Sequence, residues 1–376
     1  MKVCKFGGSS LCNAEQFQKV RNIIKSDSSR QYVVVSAPGK RFAEDQKVTD
    51  ALYECHKTAS SGKNTELIFC GICERYNKII KDLGLKLSLE DAYKTILRHL
   101  HTGDNCDYIA SRGEYLCGRI MAAYLEYDFV DAAELIVFGG DGSLDAEKTN
   151  SRIREVLKNH HRAVIPGFYG IGENQKIVTF SRGGSDITGA LIAKGVCADL
   201  YENWTDVPGF LTASPSLIPN ADKVDFMRYN ELFQLGRLGA SVFHTDAIAP
   251  LKEAGIPTSI RDTNSPDQPG TMICKEIPES LKNQPLFFGL AAEAGDGASS
   301  ENVLLHLVGC QLSLILSDVL CALRKAGINP LFIEERTNDW VFGILKQQIT
   351  EASVAVYTAL VKNRKSKNKT NCKNRR

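Results

Sequence analysis

The stretch that most constrains this chain runs from Lys176 to Lys194 and reads KIVTFSRGGSDITGALIAK. A short β-rich run is followed by a glycine turn and then by residues that favour a helix. Glycines let the backbone approach a ligand closely, and the first turn of a helix offers unpaired N–H groups. We expect Ser185 or Asp186 to cap that helix. The order strand, glycine turn and helix therefore predicts an anion-binding site.

Charged side chains at this turn narrow the kind of ligand. Arg182 can hold a carboxylate or a phosphate through two parallel hydrogen bonds, and Asp186 stands where it could meet a substrate ammonium. The alternative is an ordinary turn between strand and helix that carries a surface ion pair. Because Arg182, Ser185 and Asp186 occur together, the pattern favours the binding site.

A second glycine turn lies near the start of the chain. Lys2–Phe6 is predicted to be a strand, KFGGSS supplies the turn, and Ala14–Lys25 has the apolar spacing of a helix. Neither a Walker A loop nor the GxGxxG dinucleotide pattern is present here. The alternative is again a tight structural turn. We expect the two glycine turns to face the same phosphate chain, with Lys5 beside it.

Strands that alternate with helices predict βαβ units and an α/β fold with a mostly parallel central sheet. Ligands of such sheets gather at the carboxyl ends of the strands. Lys5, Ser36, Arg182 and Thr205 each follow a predicted strand, so one crevice could collect them. A further strand is predicted over Ala133–Phe138.

One predicted helix, Ala110–Tyr127, carries a carboxylate that is a candidate ligand. The pattern places Glu114 in the first turn of this helix. There it could complement the helix dipole, or it could bind a substrate ammonium. The sequence leaves both readings open.

Composition excludes several classes of protein. The chain of 376 residues is 43% hydrophobic and 24% charged, and no apolar run reaches the roughly 18 residues of a membrane span. The N-terminus turns polar too early for a signal peptide, so we expect a cytoplasmic protein without a membrane partner. Its twelve cysteines are then expected to be reduced thiols. Only Cys70 and Cys73 have CxxC spacing, and no second pair completes a zinc site, so no metal site is predicted.

The net charge of +2 comes from the end of the chain. Residues 362–376 contain eight Lys or Arg and no acid. Without these residues the net charge of the chain is about −6. The body of the protein therefore has no basic footprint for nucleic acid. The basic end is expected to be a disordered tail.

The C-terminal part predicts a compact module. It follows a segment rich in Pro, Gly, Ser and charge over Lys275–Asn302. Its predicted elements are a strand Val303–Val308, a helix Leu314–Ala326, a strand Asn329–Glu334, a strand Trp340–Lys346 and a helix Thr350–Val361. This is a ferredoxin-like order that lacks a last strand. An exposed sheet edge favours a homodimer or a higher homo-oligomer. We expect domains over 1–275 and 276–361 and a tail over 362–376.

Six motifs in fixed order carry a family resemblance: KFGGSS, SAPG, SRGE, TFSRGGSD, WTDVPG and RDTNSPDQPGT. Over residues 1–273 the chain resembles the aspartokinases of the amino-acid kinase superfamily, and the C-terminal module resembles their ACT domains. The resemblance implies a three-layer amino-acid-kinase fold and transfer of the γ-phosphoryl group of ATP to the side-chain carboxylate of L-aspartate. That reaction is the first step towards lysine, threonine and methionine.

The resemblance also implies roles for individual residues. The catalytic residues would be Lys5, Asp186 and Arg182. Aspartate would be bound by Thr49, Glu114, Arg182 and Ser185. ATP would be bound by Lys5, Gly7, Gly8, Ser9, Thr205, Asp206 and Leu211. Mg²⁺ would be held mainly through the ATP phosphates, and an amino-acid effector could bind the ACT module.

Departures from the family pattern leave alternatives open. Leu211 stands where many members carry an aromatic residue, and Ser216 and Ser241 stand where they carry basic residues. Only one ACT domain is visible, and residues 285–291, PLFFGLA, could be a remnant of another. Gly309–Ser313 differs from the usual glycine-rich effector turn, so the response to lysine or threonine stays open. The alternatives are another kinase of the superfamily and an amino-acid-sensing homologue with weakened catalysis.

Overall fold

The computed structural model describes residues 1–103, 105–239, 245–276, 286–294, 301–337 and 339–360. The chain forms two compact units, Met1–Pro208 with Phe243–Met272, and Gly209–Val242 with Ile273–Arg376. Contacts thus group Gly209–Val242 with the C-terminal part, whereas the sequence suggests a single boundary near residue 275. The sequence-derived domain bounds stay a prediction. Ser241 and the tail over 362–376 lie outside the described residues.

The described strands, in chain order, are β1 (Lys2–Phe6), β2 (Arg30–Val35), β3 (Asp128–Phe129), β4 (Val137–Phe138), β5 (Ala163–Pro166), β6 (Tyr169–Gly172), β7 (Ile177–Thr179), β8 (Leu200–Thr205), β9 (Phe226–Arg228), β10 (Thr258–Asp262), β11 (Thr271–Cys274), β12 (Leu286–Ala294), β13 (Asn302–Cys310), β14 (Ile333–Glu335) and β15 (Asp339–Leu345). The described helices are α1 (Ala14–Lys25), α2 (Val48–Ser60), α3 (Glu66–Asp82), α4 (Glu90–Thr102), α5 (Cys106–Leu125), α6 (Ala132–Leu135), α7 (Ala146–Leu157), α8 (Gly184–Gly195), α9 (Tyr229–Arg237), α10 (Thr245–Ala254), α11 (Leu316–Lys325) and a last helix over 349–360. Within these described ranges, no helix has both the length and the apolar character needed to cross a membrane.

The first unit is built on a parallel sheet with the strand order β3-β5-β2-β1-β8-β10. Strands β1 and β2 are almost entirely buried, as expected for central strands covered on both faces. Helix α8 packs on one face, and α1 to α5 share a core with the other face. The members of that core include Phe6, Val33, Trp204, Phe17, Leu52, Tyr76, Tyr93 and Met121. The three-layer α/β fold with a mostly parallel sheet is confirmed.

Register decides which side chains share the face under α8. Lys5 lies opposite Asn203 in the parallel pair of β1 and β8, and Cys4 lies opposite Glu202. Side chains alternate along a strand, so Lys5 and Asn203 point to one face while Cys4 and Glu202 point to the other. The sheet thereby presents an ammonium and an amide together beneath α8.

One predicted strand lies outside the central sheet, and another needs correction. Strand β7 pairs antiparallel with β6 in a separate three-stranded sheet, β4-β6-β7, and so it does not join the central sheet. Residues 132–135 form the short helix α6, and only Val137–Phe138 of the predicted strand is extended. The physical reason is a cap, since the Asp131 side chain accepts a hydrogen bond from the Ala133 N–H and starts a helical turn.

Helix starts also differ from the prediction. Helix α5 begins at Cys106 because the Asn105 side chain caps it by accepting from the Tyr108 N–H at 2.8 Å. Glu114 is therefore the ninth residue of α5, and the prediction that it lies in the first turn is wrong. Its charge has no role at the N-terminal end of the helix dipole, which acts only within the first turn.

The glycine turns are built differently from the simple strand–turn–helix order. Gly183, left-handed at φ 60°, takes the N-cap position of α8, so Ser185 and Asp186 lie inside the first turn and are not caps. After β1, a single 3-10 turn over Gly8–Leu11 comes before α1, whose own N-terminus is capped by Asn13. The first glycine turn therefore offers a 3-10 turn, and not the start of α1.

The second unit contains an antiparallel sheet in the order β12-β13-β15-β14. Its core joins Leu305 and Leu307 of β13 to Val319 of α11 and to Val356 of the last helix. Strand β12 contains the described part of PLFFGLA and pairs with β13, so the fourth strand comes from upstream of the module. Strand β14 begins four residues later than predicted and is exposed at the edge of the sheet.

Candidate active site

Lys5 and Asp186 form an ion pair at the carboxyl end of the central strand β1. The Lys5 Nζ lies 2.7 Å from the Asp186 Oδ1, and the two side chains are only 10% and 16% exposed. Asn203 on the neighbouring strand donates a hydrogen bond to the same oxygen at 3.0 Å. The first turn of α8 therefore fixes an ammonium group close to the turn that follows β1.

The backbone of the turn that follows β1 lies in close contact with the end of β8 and with the loop that follows β2. The Gly7 N–H donates to the Trp204 carbonyl at 3.1 Å, and the Gly39 N–H donates to the Gly8 carbonyl at 2.7 Å. A Cβ at Gly8 would stand 2.8 Å from the Ala37 carbonyl oxygen, which is closer than side chains tolerate. Only glycine fits there, so the loops after β1 and β2 lie together beside Lys5. Ser9 follows in the 3-10 turn and is half-buried.

Glu114 is a buried carboxylate in the middle of α5. Burial raises its pKa to about 8, and the backbone N–H groups of Ala37 and of Glu114 itself, with the Arg112 charge, offset part of that rise. Its Oε2 atom is buried and makes no hydrogen bond to a described residue. The Tyr76 hydroxyl donates to the adjacent Gly113 carbonyl at 2.7 Å and steadies this turn of the helix. A buried oxygen without a donor is matched to a ligand that brings one.

The turn before α8 has one exposed and one buried functional side chain. Arg182 is exposed, and no described carboxylate forms an ion pair with it. Ser185 is buried against Gly167, where a Cβ would lie 2.6 Å from the serine side chain. The Gly167 N–H in turn donates to the Val35 carbonyl at 2.9 Å, so Ser185 lies beside the end of β2.

The other residues expected to bind ligands are less closely tied to this group. Thr49 is half-buried and follows Val48, whose N–H donates to the Pro38 carbonyl at 3.2 Å. Thr205 ends β8 and donates through its hydroxyl to Asp206 at 3.2 Å. Leu211 belongs to the second unit, where it forms a β-bridge with Lys223. Its part in ATP binding stays a prediction.

Sequence reasoning missed Asn203, which orients Asp186. The available signal was a polar residue inside a strand that is otherwise buried, since buried amides are rare unless they are bonded. It also missed the contacts of α3, because nothing in a helical pattern shows which loops a helix will touch. Among the described residues, no group of three His, Cys, Asp or Glu side chains could hold a metal ion.

Comparison with known proteins shows which family the chain belongs to. The model of the amino acid kinase family matches residues 1–262. Aspartokinase 3 of Bacillus subtilis is 37% identical over 310 residues, which cover 78% of this chain and 67% of that protein. The chain spans smaller shares of two other curated relatives: 37% of the Buchnera bifunctional aspartokinase/homoserine dehydrogenase and 54% of Arabidopsis aspartokinase 2.

Solved structures extend the comparison to most of the chain. The aspartate kinase of Clostridium acetobutylicum superposes with a TM-score of 0.87 at 33% identity and covers 95% of this chain and 99% of that one. E. coli aspartokinase III in complex with aspartate and ADP gives 0.76 at 19% identity, covering 96% of this chain and 100% of that one. The same E. coli protein with lysine and aspartate gives 0.67 at 22%, covering 94% and 83%. At these identities the two E. coli structures support the fold alone.

The chain belongs to the amino acid kinase family, since the family model spans most of it and includes Lys5, Glu114 and the turn at Arg182. Within that family it belongs to the aspartokinases, which are phosphotransferases that act on a carboxyl group.

Proposed function

We propose that the protein transfers the γ-phosphoryl group of ATP to the side-chain carboxylate of L-aspartate, producing ADP and 4-phospho-L-aspartate. This is the first step of the pathway to lysine, threonine and methionine. The observation that carries the proposal is that one unit of the protein holds two functional groups: the Lys5 ammonium, fixed by Asp186, and a buried Glu114 carboxyl oxygen that makes no hydrogen bond to a described residue.

The chemistry needs positioning more than covalent help. An oxygen of the aspartate β-carboxylate attacks the γ-phosphorus, the bond from that phosphorus to the β,γ-bridging oxygen breaks, and ADP leaves with the electron pair. The nucleophile is ionised at neutral pH, so no proton has to be removed. Two anions must be brought together, and Lys5 would neutralise charge on the transferring group.

Recognition of aspartate would use both of its other charged groups. Glu114 would accept from the α-ammonium, and Arg182 would hold the α-carboxylate by two hydrogen bonds. Ser185 and Thr49 would complete the site. An acetylated amine is uncharged and keeps a single N–H, so Glu114 would lose its ion pair with the ammonium, which disfavours N-acetylated amino acids as substrates.

ATP would lie along the glycine turn of Gly7, Gly8 and Ser9, with Thr205 and Asp206 on the nucleotide side. Mg²⁺ prefers oxygen ligands, and phosphates with water supply them, so the ion would be held mainly through ATP. When bound, it would neutralise phosphate charge alongside Lys5. The described residues suit an ion carried by the nucleotide better than one held in a protein cage.

Regulation and assembly are part of the proposal. The second unit would bind an amino-acid effector, as the E. coli protein was solved with lysine. Its exposed edge strand β14 supports pairing with a second copy into a homodimer or a higher homo-oligomer.

A panel of acceptors tests the substrate. Purified protein with ATP should release ADP with L-aspartate and much less with L-glutamate, N-acetyl-L-glutamate or UMP. Preference for another acceptor would favour a different kinase of the superfamily. Aspartate affinity without turnover would favour an amino-acid-sensing homologue. Repeating the aspartate assay with added lysine or threonine tests the effector.

A further inference from the structure

Arg75 on α3 is a buried arginine that binds backbone carbonyls in two loops. One loop follows β1 and contains the glycine turn, and the other follows β2. Its guanidinium donates to the carbonyls of Cys12 at 3.1 Å, Gln46 at 3.0 Å and Gly39. The side chain is 8% exposed. Cys12 belongs to the segment that follows β1, and Gly39 and Gln46 belong to the segment that follows β2.

We propose that Arg75 is a positioning residue for phosphoryl transfer, because it clamps the two loops whose contact builds the ATP side of the site. The inference rests on the proposed function, which places the γ-phosphoryl group beside the turn of Gly7 and Gly8. Arg75 itself touches neither substrate in this proposal and acts through the loops.

The clamp acts where the two loops meet. Gly39 is bonded on both sides, since its N–H donates to the Gly8 carbonyl at 2.7 Å and its carbonyl accepts from Arg75. A Cβ at Gly39 would lie 2.7 Å from the Gly8 carbonyl carbon, so the loops are in direct contact. Any shift of Gly39 would therefore move Gly8.

A guanidinium suits this task better than an ammonium. It presents five N–H donors in a rigid fork, so one side chain can bond carbonyls that lie in different directions. The Arg75 NH1 group also lies 3.7 Å from the Asp45 carboxylate. Asp45 in turn binds the Arg41 guanidinium at 2.7 Å. This ion pair links two further residues of the loop that follows β2. A lysine offers a single nitrogen and cannot reach three separate carbonyls in this way.

The clamp predicts a selective kinetic effect. Of the residues that would bind aspartate, Arg182 and Ser185 make none of the contacts to Arg75 described above, whereas Glu114 and Thr49 adjoin the second of the two loops. Arg75→Lys should therefore raise the KM for ATP by about fivefold or more and lower kcat by about tenfold, since displaced phosphate contacts cost rate steeply. The KM for aspartate should rise less than the KM for ATP, because Arg182 lies just before α8 and Ser185 in its first turn, both outside the two loops. A merely structural role would lower the amount of folded enzyme and leave both KM values unchanged.

The experiment compares Arg75→Lys and Arg75→Met with Arg30→Lys. Arg30 is the matched control, because it is a buried arginine that binds Glu202 and the Ile23 carbonyl at the other end of the sheet. Steady-state kinetics in ATP and in aspartate are measured alongside hydrogen–deuterium exchange of the peptides that cover residues 7–12 and 36–48. The expected result is a raised KM for ATP and faster exchange in those peptides for the Arg75 variants alone.

Three outcomes would overturn the inference: wild-type kinetics in Arg75→Lys, a fall in kcat with both KM values unchanged, or unchanged exchange in both loops. The exchange measurement needs no substrate, so it tests the clamp even if the wild-type protein fails to phosphorylate aspartate. That failure would remove the proposed function, whereas active wild-type enzyme with normal Arg75 variants would remove the clamp alone.

Discussion

Glu114 shows how burial at one residue can oppose stability and favour binding. Its ordinary pKa of 4.5 rises to about 8, mainly because it is buried, so at pH 7 the empty site holds mostly the protonated form. Between these two values the folded protein keeps a proton that the unfolded chain has released. Its contribution to stability therefore falls as pH rises from about 4.5 through about 8. A bound ammonium favours the ionised form and reverses this cost.

The pH dependence of aspartate use should report Glu114 directly. The value of kcat/KM for aspartate should rise with pH and level off above about pH 8, because the free enzyme must lose the Glu114 proton to bind the ammonium. Glu114→Gln should lose this rise and raise the KM for aspartate by about 10- to 100-fold, as expected for a lost bond to a charged group. Profiles of kcat/KM for both proteins check this. A flat wild-type profile through this range would contradict the role of Glu114.

Lys5 should matter for rate much more than for folding. Lys5→Ala removes the charge that would neutralise the transferring phosphoryl group, so kcat should fall by about 100- to 1,000-fold. Asp186 keeps its hydrogen bond from Asn203, which limits the loss of stability. Turnover and urea unfolding of the variant check both statements. A kcat close to that of the wild type would remove Lys5 from the chemistry.

At the scale of elements, the sequence predicts well where the hydrophobic pattern is continuous. The bounds of β1 and α1 follow from it directly, since both are set by apolar spacing that the core then uses. The sequence predicts poorly where a single capping residue or a single strand pairing determines the structure of an element. Asn105 moves the start of α5, and Gly183 takes the cap position of α8, because single hydrogen bonds and one left-handed residue outweigh local propensity.

The residues of the candidate site also divide into those that the sequence reveals and those that only the fold reveals. Lys5, Gly8 and Asp186 could be found because glycine turns and charges at strand ends are visible in the sequence. Arg75 and Asn203 could not be found in that way, because their roles depend on which backbone or side chain they meet in the fold. Pairing of β7 with β6 was likewise hidden, since a short apolar run does not reveal its partner strand.

Helix α5 and strand β7 should act as one support for aspartate. The Asp107 carboxylate accepts from the Thr179 hydroxyl at 2.9 Å, and the Asn105 amide donates to the Ile177 carbonyl at 3.1 Å. These bonds tie the helix of Glu114 to the strand that leads to Arg182. Thr179→Val should raise the KM for aspartate by about fivefold, because one bond to a charged group is lost, and should leave the KM for ATP unchanged.

Thr95→Val is the matched control for this change. The Thr95 hydroxyl donates to the Asp91 carbonyl at 2.8 Å on the exposed surface of α4. Neither residue is proposed to bind aspartate or ATP. Steady-state kinetics of the two variants decide the point. An equal change in both variants, or none in Thr179→Val, would show that the link between α5 and β7 does not set aspartate binding.

At the scale of the whole molecule, a cut at residue 275 should fail to give a stable domain. Residues 209–239 pack within the second unit, where the Leu290 N–H donates to the Thr212 carbonyl at 2.8 Å and Leu235 lies against Gly289. A fragment 1–275 would expose Leu235 and its apolar neighbours. It should aggregate or bind the dye ANS, as exposed apolar surface does. A monomeric fragment that unfolds cooperatively would contradict the division of the chain into these two units. Sequence composition alone did not reveal this division.

The central claim is that one site joins two anions to make an acyl phosphate. Hydroxylamine traps acyl phosphates as hydroxamates, which can be quantified by their coloured iron complex. Wild-type protein with ATP, Mg²⁺ and L-aspartate should form hydroxamate at a rate that requires all three, and omission of aspartate should abolish it. Hydroxamate no higher than in the aspartate-free control, from folded protein, would contradict the account.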